Sequence, residues 1–587
     1  MKKQAKFILE RCRGFPLTIA AIGGLLANRP KTSSEWTNLQ EHLKREFVFV
    51  ALDLKRVMSL NYDALPYDVK FFLLNMSIFP QNHEIRHTRL LRRHYSNLIN
   101  RRMIEPSNKA RASMTSECCR VHDLVLQIIL PKSIEENRLF IMDKHCNEAP
   151  QSNVCQLVVA RRKRHEEKMA NINLSRLRSL TVFGECPESL ITQKLRFLRV
   201  LDLEDTIGLK NEDLKDIRQL PHLRNLGLRG TDISKLPSSL ENLRFLETLD
   251  VKDTKVTQLP AGIINLENLC YLRGGVDFAA KRMGEEKNAD KHNNFFETLA
   301  NLVRMCHDAY NEGCESGCAH RFSPRAPEKI EKLSNLQVLG VVHIARSQEA
   351  KKLGKLANLR KLGVHLDADS EASEELCSSI SSLVRLERLE VHCESLEFLK
   401  GVIETPPRLL LSLRLCGHLG NLPSWMSSLT SLSKIKLIQT GLKQKDIEVI
   451  GSLSNIILLG LWEESFAEES LSFGKDTFQN LKLLDIEGLE KVNTIHIEHG
   501  ALPVLEKLRV RKCLDLYNSV QGLSSVKSME KLKELELTSC GDKLELEKEL
   551  QKQIGKFTNP PVLITSKYVV TWQEMLLTSF YRLIGWE

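Results

Sequence analysis

The chain has no run of about 18 uninterrupted apolar residues, the length a helix needs to cross a bilayer; its longest apolar stretch, Ile19 to Ala27, is too short. A basic start at Met1-Lys2-Lys3 meets Glu10 and Arg11 before any sustained apolar region, which excludes the usual form of a secretory leader. Cysteine is thin: 15 in 587 residues cannot staple a disulfide scaffold. Cys270, Cys393 and Cys416 stand among apolar neighbours, where a small hydrophobe suffices. Neither sign of charge dominates, because 84 Lys and Arg face 74 Asp and Glu, and a net +10 spread over this length is no footprint for nucleic acid. A Gly-x-x-x-x-Gly-Lys-Ser/Thr loop is also lacking, and with it the nest of backbone donors and the lysine that phosphoryl transfer uses. His222, His365 and His392 have no evident Ser or Cys nucleophile with an oriented acid, so the chain is not expected to be an enzyme. What remains is a protein expected to be cytoplasmic, with nuclear or peripheral membrane association left open.

What the sequence does have is repetition. The pattern Leu-x-x-Leu-x-Leu-x-x-Thr-x-Ile-x-x-Leu-Pro runs through Leu223, Leu226, Leu228, Thr231, Ile233, Leu236 and Pro237. It returns 23 residues later at Leu246, Leu249, Val251, Thr254, Val256, Leu259 and Pro260, and starts again at Leu269 and Leu272. Each unit supplies a short strand with alternate side chains inward, and the Leu-Pro turns the chain back. One unit has no complete core, so the units must stack, and the sequence predicts a solenoid held by contacts between neighbours. Thr231 and Thr254 fall where the chain leaves the strand, a place for a hydroxyl to serve backbone groups. Looser units follow at Leu336, Leu359, Leu386, Leu410, Leu432, Ile456, Leu481, Leu505 and Leu532, with earlier ones at Leu198 and, as an edge, Leu177 and Leu180. The array is expected over 172–540.

Between Gly274 and Pro327 the leucine spacing lapses, which reads as an inserted loop. Cys306-His307 and Cys314-x-x-x-Cys318-x-His320 lie there, but without paired two-residue knuckles they read as loop thiols and histidines, and no metal site is expected. Arg161-Arg162-Lys163-Arg164-His165 reads as part of a solvated basic linker over 151–171. From 541 to 587 the sequence reads as a cap, ending in a helix through Leu576, Phe580 and Trp586 that covers the last repeat.

Residues 1–150 lack the repeat and read as mainly helical. Pro16 can start a helix after the bend at Gly14, and Pro80 stops the apolar pattern through Phe71–Phe79. His122 and Asp123 precede Leu124–Leu130, at the N-terminal edge of an apolar helix. There Asp123 suits a cap, and the unpaired backbone donors of the edge suit a phosphate.

Three motifs in this region carry a family resemblance. Gly14-Phe15-Pro16-Leu17, followed by Ala20–Leu26, closely resembles the Gly-Leu-Pro-Leu region in the first ARC subdomain of plant nucleotide-binding, leucine-rich-repeat (NLR) disease resistance proteins, with Phe15 where Leu is preferred. Phe71–Pro80 resembles the family's block ending Ser-Ile-Phe-Pro, and Val121-His122-Asp123 its Met-His-Asp signature, with Val121 in place of Met. The order of the three, with the repeats behind them, covers almost the whole chain. The resemblance implies an α/β leucine-rich-repeat solenoid, or horseshoe, preceded by a mainly helical partial ARC and winged-helix region. It divides the chain into 1–60 as a partial first ARC subdomain, 61–150 as a shortened winged-helix-like region and 172–540 as the repeats, truncated at the N-terminus relative to the family.

The resemblance further implies ADP or ATP as cofactor. Pro16 would pack near adenine, His122 would contact the ADP phosphate, and Asp123 would orient the switch. The function implied is plant innate immunity: recognition of a pathogen effector or a guarded host protein through the repeats, with self-association on activation. The competing reading is a stand-alone repeat scaffold or decoy without nucleotide.

Overall fold

The computed structural model describes chiefly residues 54–79, 118–135, 139–142, 155–160, 173–187, 191–275, 323–367, 371–401, 405–513, 531–538 and 561–565, with single positions and short pieces between them. Pro16, the Gly14–Leu17 motif, the Arg161–His165 run, the thiols and histidines of 306–320 and the helix expected at 576–586 lie outside the described residues. The chain divides into two compact units, Met1–Phe183 and Gly184–Glu587.

In the first unit, helices Leu54–Asp63 and Tyr67–Asn75 pack with helix Asp123–Glu135. Pro66 precedes the second helix with φ −56°, a geometry that costs no amide donor there, and Asp68 sits in its first turn, where a carboxylate complements the exposed amides. Strand Cys118–Val121 lies between Ile85–Arg86 and Ile104–Pro106 in an antiparallel sheet. Met58, Leu73, Leu98, Met103, Ile104, Cys119, Val125 and Ile129 form one core. The Phe71–Pro80 motif is therefore largely packing. Leu73, Leu74 and Met76 are buried while Phe71 is exposed, and Ser77 donates to the Leu74 carbonyl at 2.6 Å while contacting the Ser133 hydroxyl at 3.0 Å. Strands Leu139–Met142, Gln156–Ala160 and Ser179–Phe183 then run parallel. Part of the expected basic linker is thus a paired strand: the sequence Gln-Leu-Val-Val-Ala has β-branched apolar side chains but no leucine spacing, and hid it from a search for the repeat.

The second unit is a parallel ladder. Its strands are Val200–Asp202, Asn225–Gly227, Thr248–Asp250, Tyr271–Arg273, Val338–Ile344, Lys361–Leu366, Arg388–Ser395, Ser412–His418, Lys434–Ile438, Leu458–Trp462, Leu483–Glu487, Lys507–Arg511, Glu534–Thr538 and Val562–Thr565. One interior row shows the register: Leu226, Leu249, Leu272, Leu339, Leu362, Leu389, Leu413, Ile435, Leu459, Leu484, Leu508 and Leu535 each face the next. All of these are buried, so the leucines of the repeat line one continuous interior, as the spacing requires. Val562–Thr565 pairs parallel with Glu534–Thr538, so the ladder passes the boundary expected at 541. Its sequence, Val-Leu-Ile-Thr, again lacks the leucine spacing.

The turns of the solenoid follow local chemistry. Pro237, Pro260 and Pro423 each precede a 3-10 turn, Ser238–Asn242, Ala261–Asn265 and Ser424–Ser428, because proline fixes φ and needs no donor at that place. Longer repeats carry α-helices, Ser347–Leu353, Ala372–Ser382 and Gln444–Gly451. Thr231 Oγ1 donates to the Leu228 carbonyl at 2.6 Å and Thr254 Oγ1 to Val251 at 2.7 Å, the role their position predicts. Asn268, Asn335, Asn358, Asn455 and Asn480 form a series the leucine pattern does not show. Each donates its side-chain amide to a carbonyl of the preceding repeat, at 2.7–3.0 Å.

The lapse at 274–327 does not break the ladder: Tyr271 pairs with Val338 and Leu272 with Leu339, on either side of it. The two backbones meet closely there. A Cβ on Gly340 would come within 2.5 Å of the Gly274 nitrogen and one on Gly363 within 2.9 Å of the Val341 nitrogen, and the register shifts between Leu339 and Val341. Glycine is required because backbone occupies the space of any side chain.

Candidate functional site

Two places are able to carry function, one in each unit. In the first, the Val121-His122-Asp123 motif brings a strand end to a helix start. His122 accepts the amide of Leu124 on Nδ1 at 3.2 Å, and its carbonyl accepts from Val125 at 2.8 Å, so His122, rather than Asp123, caps the helix. Asp123 is the first helical residue. Because Nδ1 is an acceptor, the proton of the neutral ring sits on Nε2, which lies 3.9 Å from Glu105 Oε1. The motif thus presents one imidazole N–H beside a carboxylate at a helix N-terminus, a donor arrangement compatible with a phosphate oxygen.

In the second unit, the side chains opposite the leucine rows form an open face of the sheet, as strand alternation demands. One row reads His343, His365, His392, Cys416, Ile438, Trp462, Glu487, Arg511, Thr538 across successive strands. The row beside it reads Gly363, Glu390, Arg414, Lys436, Gly460, Asp485, Arg509, Glu536. Cys416 therefore belongs to this polar face beside His392, not to the apolar packing expected of it, whereas Cys393 does point inward and is buried.

The middle of the face is weighted to cations, Lys361, Arg388, Arg414, Lys434 and Lys436, with Glu390 among them. Glu390 meets Arg414 at 3.3 Å, His392 at 3.1 Å and Lys361 at 3.8 Å. Burial would raise its pKa, but Arg414, the His392 hydrogen bond and Lys361 together outweigh burial and hold it well below the usual carboxylate range. Burial would likewise lower His392; hydrogen bonds with Cys416 and Glu390 and the Glu390 charge instead raise it to about 9. The Lys436 ammonium lies 4.7 Å from the Trp462 ring centroid, within cation–π range.

Toward the C-terminal end the same face is a closed ion-pair network. Arg509 meets Glu534 at 3.3 Å and Glu536 at 3.0 Å; Arg511 meets Asp485 at 2.7 Å and Glu487 at 3.0 Å. Burial opposes the charge on Arg511, but Asp485, Glu487 and Glu536 raise its pKa all the same.

Among the described residues one group has the makings of a metal site, His343, His365 and Asp367. The sequence concealed it, since its members share no short motif and meet only through strand register; the one available signal was a histidine at the same place in consecutive repeats.

Fold and face together define a protein of the leucine-rich repeat class, and the chain belongs to that family: the model described as leucine-rich repeat region matches residues 176–285 and 299–563. It is homologous to plant disease resistance proteins of the nucleotide-binding, leucine-rich-repeat kind. Disease resistance protein Pik-2 of Oryza sativa subsp. japonica is 28% identical over 587 aligned residues, covering 90% of this chain and 56% of that protein. Disease resistance protein RPP13 of Arabidopsis thaliana is 28% identical over 539, covering 86% of this chain and 55% of that protein. The chain thus spans about half the length of the curated relatives it matches. A solved leucine-rich-repeat protein of Leptospira interrogans is 17% identical, covering 65% of this chain and 89% of its own, with a TM-score of 0.36. No helix among the described residues is long and apolar enough to cross a membrane.

Proposed function

We propose that this chain is the recognition-bearing part of a plant intracellular immune receptor, acting by binding protein rather than by catalysis. The observation that carries the proposal is the open face of the ladder, on which consecutive repeats place Lys361, Arg388, Arg414, Lys434 and Lys436 in register. Such a face suits an acidic surface of a pathogen effector or guarded host protein, because complementary charge steers encounter and fixes register. His122, with Asp123 behind it and Pro16 from the family motif, is the part of the reading that concerns ADP or ATP. The imidazole Nε2–H would donate to a phosphate in place of Glu105, and the positive end of the helix dipole would favour the anion, the amides of Leu124, Val125 and Leu126 being taken by His122.

The recognition part is tested by co-expressing the chain with candidate pathogen effectors in leaf tissue and scoring cell death. Lys434→Glu with Lys436→Glu should abolish a response without lowering protein level; a response indifferent to those changes would overturn it. The nucleotide part is tested by calorimetric titration of ADP into the purified chain. Binding that weakens in His122→Ala supports it. The absence of heat and of thermal protection at millimolar ADP leaves the scaffold reading.

A further inference from the structure

One group of side chains on the open face serves neither the cationic stretch nor the ion-pair network. His343 is the last residue but one of the strand after the lapse at 274–327, His365 stands opposite it on the next strand, and Asp367 directly follows that strand. Their donor atoms all lie within 4.8 Å of one another. His343 Nε2 is 3.0 Å from Asp367 Oδ2, and the two imidazole rings have centroids 5.6 Å apart. We propose that His343, His365 and Asp367 bind a divalent transition-metal ion of the zinc class.

Two imidazoles and a carboxylate are a ligand set zinc accepts at about 2.0–2.2 Å, which puts neighbouring ligand atoms about 3.3 Å apart in a tetrahedron. The present spread exceeds that by roughly 1.5 Å, a gap side-chain torsions can close. The backbones are already fixed by the parallel register, so ordering them adds little to the cost of binding. Buried His365 is the inner anchor, and Asp367, 47% exposed at its side chain, keeps the site reachable. Two nitrogen ligands disfavour calcium and magnesium, which take oxygen. Three protein ligands leave a fourth position for water or for a side chain of whatever docks on the face. Bound metal would replace the His343–Asp367 hydrogen bond and tie the strand that follows the lapse to its neighbour.

The test is equilibrium binding of zinc and of cobalt(II) to the full purified chain, read by dialysis, by the visible spectrum of cobalt and by the zinc-dependent shift in melting temperature. Wild type should take up one equivalent and melt higher with zinc, with a cobalt spectrum free of thiolate charge-transfer absorption. Asp367→Asn and His343→Gln, both at partly exposed positions and checked by circular dichroism, should each weaken binding roughly tenfold or more and remove the melting shift. Cys314→Ser with Cys318→Ser, and His222→Gln, should change nothing. No saturable zinc uptake would overturn the proposal. So would uptake that survives in Asp367→Asn and His343→Gln but is lost with the two cysteines.

Discussion

The sheet's open face has two stretches built on the same backbone and filled in opposite ways. From Lys361 to Lys436 the cations outnumber the carboxylates; from Asp485 to Glu536 Arg509 and Arg511 each meet two carboxylates. The matched stretch has used its charges on itself: Arg509 is 3% exposed and meets two glutamates. A partner that displaced those pairs would have to desolvate and re-pair every ion. The other stretch has more positive than negative side chains in register, so the face is net positive there. The charge a repeat array shows thus depends on the local balance of its strands, and the same ladder is cation-rich in one place and near balance in another.

The sharpest way to break the comparison is Arg509→Ala, which leaves Glu536 without its arginine and Glu534 with Lys507 alone, in a partly buried place. A loss of about 3–5 kcal/mol is expected in urea unfolding; a loss below about 1 kcal/mol would mean the matched stretch is no more committed than the other. Leu249→Ala, in the buried row common to the whole ladder, should cost about 2–5 kcal/mol in the same measurement, whatever faces it on the open side.

His392→Gln tests the cation-rich stretch through pH. An unfolded histidine loses its proton near 6.5, while His392 holds its own to about 9. Its contribution is therefore complete below 6.5 and lost as pH rises through about 9. Glu390, lowered instead, contributes above the usual carboxylate range and loses that only as pH falls through its depressed value. His392→Gln should accordingly cost about 1–3 kcal/mol at pH 6 and almost nothing near pH 10; equal costs at both would separate His392 from its neighbours. Smallest, Thr231→Val removes one hydroxyl bond to the Leu228 carbonyl, for about 0.5–1.5 kcal/mol by thermal melting.

Much of this was readable in advance and some was not, for definite reasons. Leu226, Leu249 and Leu272 announced the ladder because strand side chains alternate and the repeat length stays constant there. Thr231 and Thr254 followed from the same count. Gln156–Ala160 and Val562–Thr565 escaped because pairing is a backbone property, and their side chains carry no leucine spacing. The His343, His365, His392, Cys416 row escaped because the intervening repeats vary in length, so adjacency in register cannot be counted along the chain. His122 was found by its motif, but its role as cap in place of Asp123 depends on a hydrogen bond that no spacing reveals.

The glycine seam at Gly274, Gly340 and Gly363 sets how the ladder continues past residue 274. Where Tyr271–Arg273 and Val338–Ile344 lie side by side, the main chains press together with no room for even a methyl group, and the repeat count resumes as if nothing had come between them. A side chain at Gly340 or Gly363 would push two main chains apart, whereas the pairing of Tyr271 with Val338 does not depend on how many residues separate them in sequence. The join is made by backbone alone, and it sets His343 three residues beyond Gly340 on the same strand, so the histidine's place on the open face is fixed by main chain.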